Sequence, residues 1–197
     1  MTDRISASDL RKFVDLMITF GKVERVYYFP GTDRKENDQE HSYLLAMTAW
    51  YLIQSNKLSL NLEKVLTYAL AHDIVEIFAG DTYVYTTDTE YLSGKEGREA
   101  EAAQKLMEKL PQFAQMHESI EAYVKRENPE SRFVYALDKI LPILLIHADS
   151  GRSWKEHGVT LEMLVSNKTP KVALSPEIQP YFDELVAMLK IEEKEIF

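Results

Sequence analysis

The chain contains no cysteine, which excludes disulfides, a thiol nucleophile and thiolate-bound metal. No apolar run reaches the roughly 18 residues that a transmembrane helix requires, because charge interrupts each one first. The first ten residues, Met-Thr-Asp-Arg-Ile-Ser-Ala-Ser-Asp-Leu, carry acids and lack the hydrophobic segment of a signal peptide. These absences lead to the expectation of a cytoplasmic protein with no membrane partner. Basic residues are outnumbered, with 23 Lys and Arg against 32 Asp and Glu and a net charge of −9. A surface of that sign argues against broad binding to duplex nucleic acid. It leaves room for a small anionic substrate, since a metal ion and a few local cations can reverse the sign inside a pocket. There is no internal repeat, heptad seam or low-complexity segment.

What the chain does have is the composition of one globular domain spanning 1–197, with 45% apolar and 28% charged residues. Apolar positions recur at helical spacing almost throughout. A first helix is expected over Ser6–Phe20, with Ser6 or Ser8 as its cap and Gly21 as its stop. Residues 21–39 read as a long loop with a short extended insert at Val26–Phe29, and a connection of that length points to service at a site. Helices follow at about 40–54, Leu62–Ala79, Gly97–Leu110, Pro111–Arg126 and Ser131–His147, the last bent at Pro142. Residues 81–90 read as a loop lining a cleft. A short helix is expected around 161–165, and a final one from Ser175-Pro176 to about Lys190. The expected fold is therefore all-α, a single helical bundle of seven or eight helices, with a core at about 10–145 and a C-terminal helical extension at 147–197.

The chemistry concentrates in Ala71-His72-Asp73-Ile74-Val75-Glu76-Ile77-Phe78-Ala79-Gly80-Asp81. On a helix at about 100° per residue, His72, Asp73 and Glu76 share one face, within a segment otherwise apolar. Charged groups in such a setting need a compensating partner, and a metal ion is a common one. His41 and Asp138 also lie on helices with apolar faces. The set His41, His72, Asp73 and Asp138 offers two imidazoles and two carboxylates, suited to one divalent ion such as Mn, Co, Fe, Mg or Zn. Taken singly, each has a blander reading: a core histidine, a capping acid, a chance His-Asp pair. Their joint occurrence on three core helices is what points to a site.

The order Glu40-His41-Ser42, His72-Asp73, Asp138 resembles the HD superfamily of metal-dependent phosphohydrolases. The longer patterns Arg34–Ser42, His72-Asp73-x-x-Glu76-x-x-x-Gly80-Asp81 and Ser131–Lys139 are similar to the subgroup containing bacterial 5′-deoxynucleotidases. The resemblance covers about residues 10–145. It implies an HD-type bundle in which His41, His72, Asp73 and Asp138 hold the cation. It also implies that Glu76 and Asp81 handle the attacking water and the leaving group, and that a metal-bound water attacks a nucleoside or deoxynucleoside 5′-monophosphate. The alternatives are a nucleotide polyphosphate pyrophosphohydrolase of the alarmone type, disfavoured by the lack of an obvious basic cluster, and a nucleotide-binding domain without turnover. The subgroup carries an Arg-Trp pair upstream of its first ligand. Here Arg25 stands one residue out of register and Tyr27 takes the tryptophan's place as the base-stacking candidate. Arg34 and Lys95 are further candidates for phosphate binding. The partner expected is thus a small phosphorylated substrate, a nucleotide by resemblance, and a homodimer is a further expectation from the same source.

Overall fold

The computed structural model describes residues 4–197. Twelve helices run in the order α1 (Ala7–Phe20), α2 (Asp38–Asn56), α3 (Leu62–Ala71), α4 (Glu76–Ala79), α5 (Thr89–Ser93), α6 (Lys95–Lys109), α7 (Ala114–Lys125), α8 (Pro129–Ala148), α9 (Arg152–His157), α10 (Leu161–Val172), α11 (Gln179–Ile191) and α12 (Glu193–Ile196). Eight of these have ten residues or more, matching the expected bundle. The other four, α4, α5, α9 and α12, are too short to show an apolar period. Among the described residues no helix is long and apolar enough to cross a membrane.

Local chemistry explains the principal boundaries. The Ser6 hydroxyl accepts from the Asp9 N–H at 3.1 Å and starts α1. The side chain of Asn37 accepts from the Glu40 N–H while the Glu40 carboxylate accepts from the Asn37 N–H, a reciprocal cap that starts α2. Asn128 caps α8 and Pro129 occupies its first turn, so the helix begins ahead of the Ser131 expected. It runs unbroken through Pro142, whose missing N–H leaves the Asp138 carbonyl without its in-helix donor. The stretch 21–39 is not wholly a loop. It contains β1 (Glu24–Tyr28) and β2 (Lys35–Asn37), an antiparallel pair in which Glu24 faces Asn37 and Tyr28 faces Lys35.

The largest core cluster joins Leu45, Ala49 and Ile53 of α2, Val65 of α3 and Phe133, Leu137 and Ile140 of α8. Leu164 and Val172 of α10 and Phe182, Leu185 and Leu189 of α11 belong to the same cluster. Residues beyond 147 thus complete the main core. A second cluster packs Ile74 and Val75 against Leu106, Leu110, Met116 and Ile120, with Phe13, Leu16 and Met17 of α1 alongside. The helices α2, α3 and α8 meet where the polar residues of the core lie.

Candidate metal centre

The cap on α2 puts His41 in that helix's first turn, fully buried. His72 ends α3, Asp73 follows it, and α8 delivers Asp138. One ligand-type atom from each of these four residues lies within 4.8 Å of all the others. His41 Nε2 is 3.0 Å from Asp138 Oδ1, His72 Nε2 is 2.9 Å from Asp73 Oδ2, and His72 Nε2 is 3.8 Å from Asp138 Oδ1. The structure brings together all four residues expected as ligands.

It reaches that arrangement differently from the continuous helix expected over 62–79. The α-helix stops at Ala71, and Ile74, Glu76 and Ile77 donate to the carbonyls three residues back. The cause is His72 itself. Its Nδ1 lies 2.9 Å from the Ala69 carbonyl oxygen, the acceptor a continued α-helix would offer to the Asp73 N–H. The chain tightens into turns until α4 resumes at Glu76. Gly80, at φ +73° and ψ 152°, then ends α4 in a conformation open to glycine and hardly to other residues. Asp81 leaves from there.

The same contact fixes the chemistry of His72. A carbonyl oxygen only accepts, so Nδ1 carries the hydrogen and Nε2 is directed at Asp73 and Asp138. Nε2 is buried and, despite its short approach to Asp73, has no hydrogen-bond partner. The two carboxylates crowded around this nitrogen repel one another, and a cation between them removes that cost. The donor set fits a divalent ion that accepts nitrogen and oxygen ligands. The acids are held ready for it. Burial alone would raise the pKa of Asp73, but His72 and Arg25 beside it hold it low. Asp138 is likewise buried, and Lys139 and His41 hold it well below the usual carboxylate range. For His41, burial and Arg25 disfavour a proton, yet hydrogen bonds to Asp138 and Glu36 prevail and raise its pKa.

A second layer supports these residues. Residues two apart on a strand share a face, so Arg25 and Tyr27 of β1 both point inward, next to Glu36 of β2. The Tyr27 hydroxyl donates to Glu36 Oε2 at 2.6 Å, and that oxygen is 3.4 Å from His41 Nδ1. Glu36 thus stands where a carboxylate orients a ligating imidazole. Arg25 Nη1 reaches Asp73 Oδ2 at 2.9 Å and Asp38 Oδ1 at 3.1 Å. Tyr123 donates to Asp138 Oδ2 at 3.0 Å, and Lys139 contacts the same oxygen.

Asp38, Asp73 and Glu76 form an adjoining acidic group. Burial and the neighbouring charges of Asp73 and Asp38 push the Glu76 carboxyl well above its ordinary pKa. Burial, with Asp73 next, raises Asp38 to about 6. Asp81 is raised by burial although Arg25 opposes it. Lys95 Nζ lies 3.9 Å from Glu76 Oε1, and its pKa is pushed up to about 12, where Glu99, Glu76 and Asp73 outweigh burial. Carboxyls that hold their protons more tightly than usual, beside a lysine, can take and return protons.

Among the residues expected to bind substrate, Arg25 and Lys95 stand at the cluster. Tyr27 does not present its ring as a stacking surface: it is buried, and its hydroxyl is spent on Glu36. Arg34 is half exposed and engaged with Glu40 through two oxygens, on the outer side of the α2 cap. Reading the sequence missed Glu36, Asp38, Tyr123 and Lys139. Glu36 and Asp38 flank the capping Asn37, and that Asn-x-x-Glu signature was the one cue available.

A family model described as HD domain matches residues 22–179. The crystal structure of a predicted metal-dependent phosphohydrolase from Magnetospirillum magnetotacticum MS-1 is similar, with 30% identity and a TM-score of 0.76, over 92% of this chain and 95% of that one. A conserved hypothetical protein from Pyrococcus furiosus has 24% identity and a TM-score of 0.57, over 90% of this chain and 98% of its own, a likeness of fold alone. No curated protein matches the chain.

Proposed function

The chain belongs to the HD-domain family, and we propose that it is a divalent-metal-dependent phosphohydrolase that releases phosphate from nucleoside or deoxynucleoside 5′-monophosphates. The observation that carries the reading is the buried, unpartnered Nε2 of His72 facing Asp73 and Asp138 within the four-residue cluster. The similarity to the Magnetospirillum phosphohydrolase supports the same reaction class.

A divalent ion in this cluster supplies Lewis acidity toward a phosphoryl oxygen and acidifies water near neutral pH. The residues of the chain do the rest. Glu36 and Ala69 hold the two imidazoles by their Nδ1 atoms, which turns both Nε2 atoms inward. Arg25 and Lys95 bring positive charge to the acidic side of the cluster, where phosphoryl oxygens gather negative charge during transfer. Glu76, 4% exposed and raised in pKa, receives the proton of the attacking water, and Asp81 returns one to the leaving alkoxide.

The test is phosphate release from a broad panel of monophosphates with Mn, Co, Mg and Zn, with Asp73→Ala as control. Release that requires a metal and disappears in the control is the expected result. Retained metal with no phosphate released from any member of the panel would sink the proposal.

A further inference from the structure

The two oxygens of Asp138 have different company. Oδ1 faces the metal cluster, 3.0 Å from His41 Nε2 and 3.8 Å from His72 Nε2. Oδ2 is taken: the Tyr123 hydroxyl donates to it at 3.0 Å, and the Lys139 ammonium contacts the same atom. Neither donor arrives there by default. Lys139 is the next residue on α8, and consecutive helical residues diverge by about 100° rather than facing each other. Its side chain, 23% exposed, nevertheless folds back onto its neighbour's carboxylate instead of reaching into water. Tyr135, one turn earlier on α8, supports it there, with Lys139 Nζ 5.0 Å from the ring centre. Tyr123 comes from α7. Its ring meets the His72 imidazole edge-on with centres 5.2 Å apart, and lies 6.0 Å from the Tyr135 ring. One buried tyrosine thus touches two of the four residues of the cluster.

Hydrogen bonds to a charged group are the strong ones, and Oδ2 holds one from an ammonium and one from a phenol. An ion that claimed both oxygens of Asp138 would have to displace these donors and leave them without their partner, at a cost. An ion satisfied by Oδ1 alone would leave them in place. Divalent ions differ in this respect. Ca²⁺ gathers about six to eight oxygens and often takes both from one carboxylate. Smaller ions, and those that accept imidazole nitrogen, are satisfied by fewer, single donor atoms.

We propose that Tyr123 and Lys139 are positioning residues that confine Asp138 to one metal-facing oxygen, and so set the site against Ca²⁺ and in favour of smaller divalent ions. This selectivity rests on the metal-centre reading and deepens it by naming the residues that choose the ion.

The experiment is calorimetric titration of Mn²⁺ and of Ca²⁺ into the metal-free full chain, for wild type, Tyr123→Phe, Lys139→Met and the double variant. Phenylalanine keeps the ring against His72 and methionine keeps an apolar stem, so the donors to Oδ2 are what is lost. The readout is the ratio of the two Kd values, Ca²⁺ over Mn²⁺. Wild type should favour Mn²⁺. Lys139→Met should lower the ratio about tenfold to a hundredfold, the equivalent of one charge-assisted hydrogen bond no longer opposing Ca²⁺. Tyr123→Phe should lower it less, and the double variant most. If Lys139→Met fails to fold, Tyr123→Phe decides alone, because it removes a single oxygen atom. A merely structural role would weaken both ions equally, so an unchanged ratio overturns the proposal. So does a wild type that binds Ca²⁺ as tightly as Mn²⁺. A wild type that holds neither ion refutes the metal centre itself and this proposal with it. The expected shift in a chain that releases no phosphate from any monophosphate upholds the roles of Tyr123 and Lys139 and refutes the hydrolase reading instead.

Discussion

Replacing Glu36 by glutamine should weaken the metal site without touching a ligand. Glu36 is completely buried, accepts the Tyr27 hydroxyl at 2.6 Å, and lies 3.4 Å from His41 Nδ1 and 3.7 Å from Arg25 Nε. Glutamine keeps the size and an acceptor oxygen, so charge is what is lost. Losing an outer partner of a ligating histidine typically costs about 10- to 100-fold in metal affinity. An ion supplied at about 100 times the wild-type Kd adds ~2.7 kcal/mol to wild-type stability. At that same concentration it adds ~1.4 kcal/mol to a variant that binds about tenfold more weakly, and ~0.4 kcal/mol to one that binds about a hundredfold more weakly. The difference, ~1.3–2.3 kcal/mol, corresponds to about 3–9 °C of melting temperature for a chain of this size. Scanning calorimetry of metal-free protein titrated with Mn²⁺ measures it. The comparison is between metal-induced rises, because the substitution also alters Arg25's surroundings in the metal-free state. Equal rises in wild type and Glu36→Gln would refute the role assigned to Glu36.

Three more expectations follow from other parts of the structure. Asp38, raised to about 6 by burial and Asp73, binds its proton more tightly in the native state than in the unfolded chain, where it titrates near ~3.9. Stability of the metal-free protein should therefore fall by ~3 kcal/mol on this group's account as pH rises from ~4 through ~6. Urea unfolding across that range should be flatter by that amount in Asp38→Asn, and an unchanged slope would contradict the assignment. Gly151 sits at φ +72°, and a Cβ there would lie 1.9 Å from the Ile196 carbonyl oxygen, so Gly151→Ala should cost ~1–3 kcal/mol. It should also disturb the stacking of Trp154 on Phe197, whose rings are 4.6 Å apart, and tryptophan fluorescence would report that directly. Glu76→Gln should lower phosphate release by about 100-fold or more while metal content stays at the wild-type level. Loss of the metal in that variant would recast Glu76 as a ligand.

Much of this site was legible because His41, His72, Asp73 and Asp138 are polar residues on helices whose remaining pattern is apolar, a contradiction that a metal resolves. The Ser6 cap and the eight longer helices were legible for the related reason that caps and helical periods are local. Other features depend on contacts that a linear pattern does not carry. The break after Ala71 arises because the His72 ring takes the Ala69 carbonyl, a competition invisible to an apolar period that runs on through Ile74 and Ile77. Strands β1 and β2, of five and three residues, are too short for alternation to be distinguished from loop. Glu36 and Asp38 occupy a polar stretch that reads as solvated, yet the fold buries both completely. Lys168 lies in Ser166-Asn167-Lys168-Thr169-Pro170, which looks like the exposed end of a helix, and only the packing of α10 along α8 shows it to be enclosed.

The central claim is that His41, His72, Asp73 and Asp138 hold a divalent ion on which phosphoester hydrolysis depends. The most direct test is to strip the protein of metal, add back Mn²⁺ in measured steps, and follow bound metal and phosphate release on the same samples. The account predicts release that rises in proportion to bound metal, saturates when the cluster is filled, and is absent at every step in Asp73→Ala. Hydrolysis that survives complete removal of metal, or a filled site that releases nothing from any monophosphate, would contradict it.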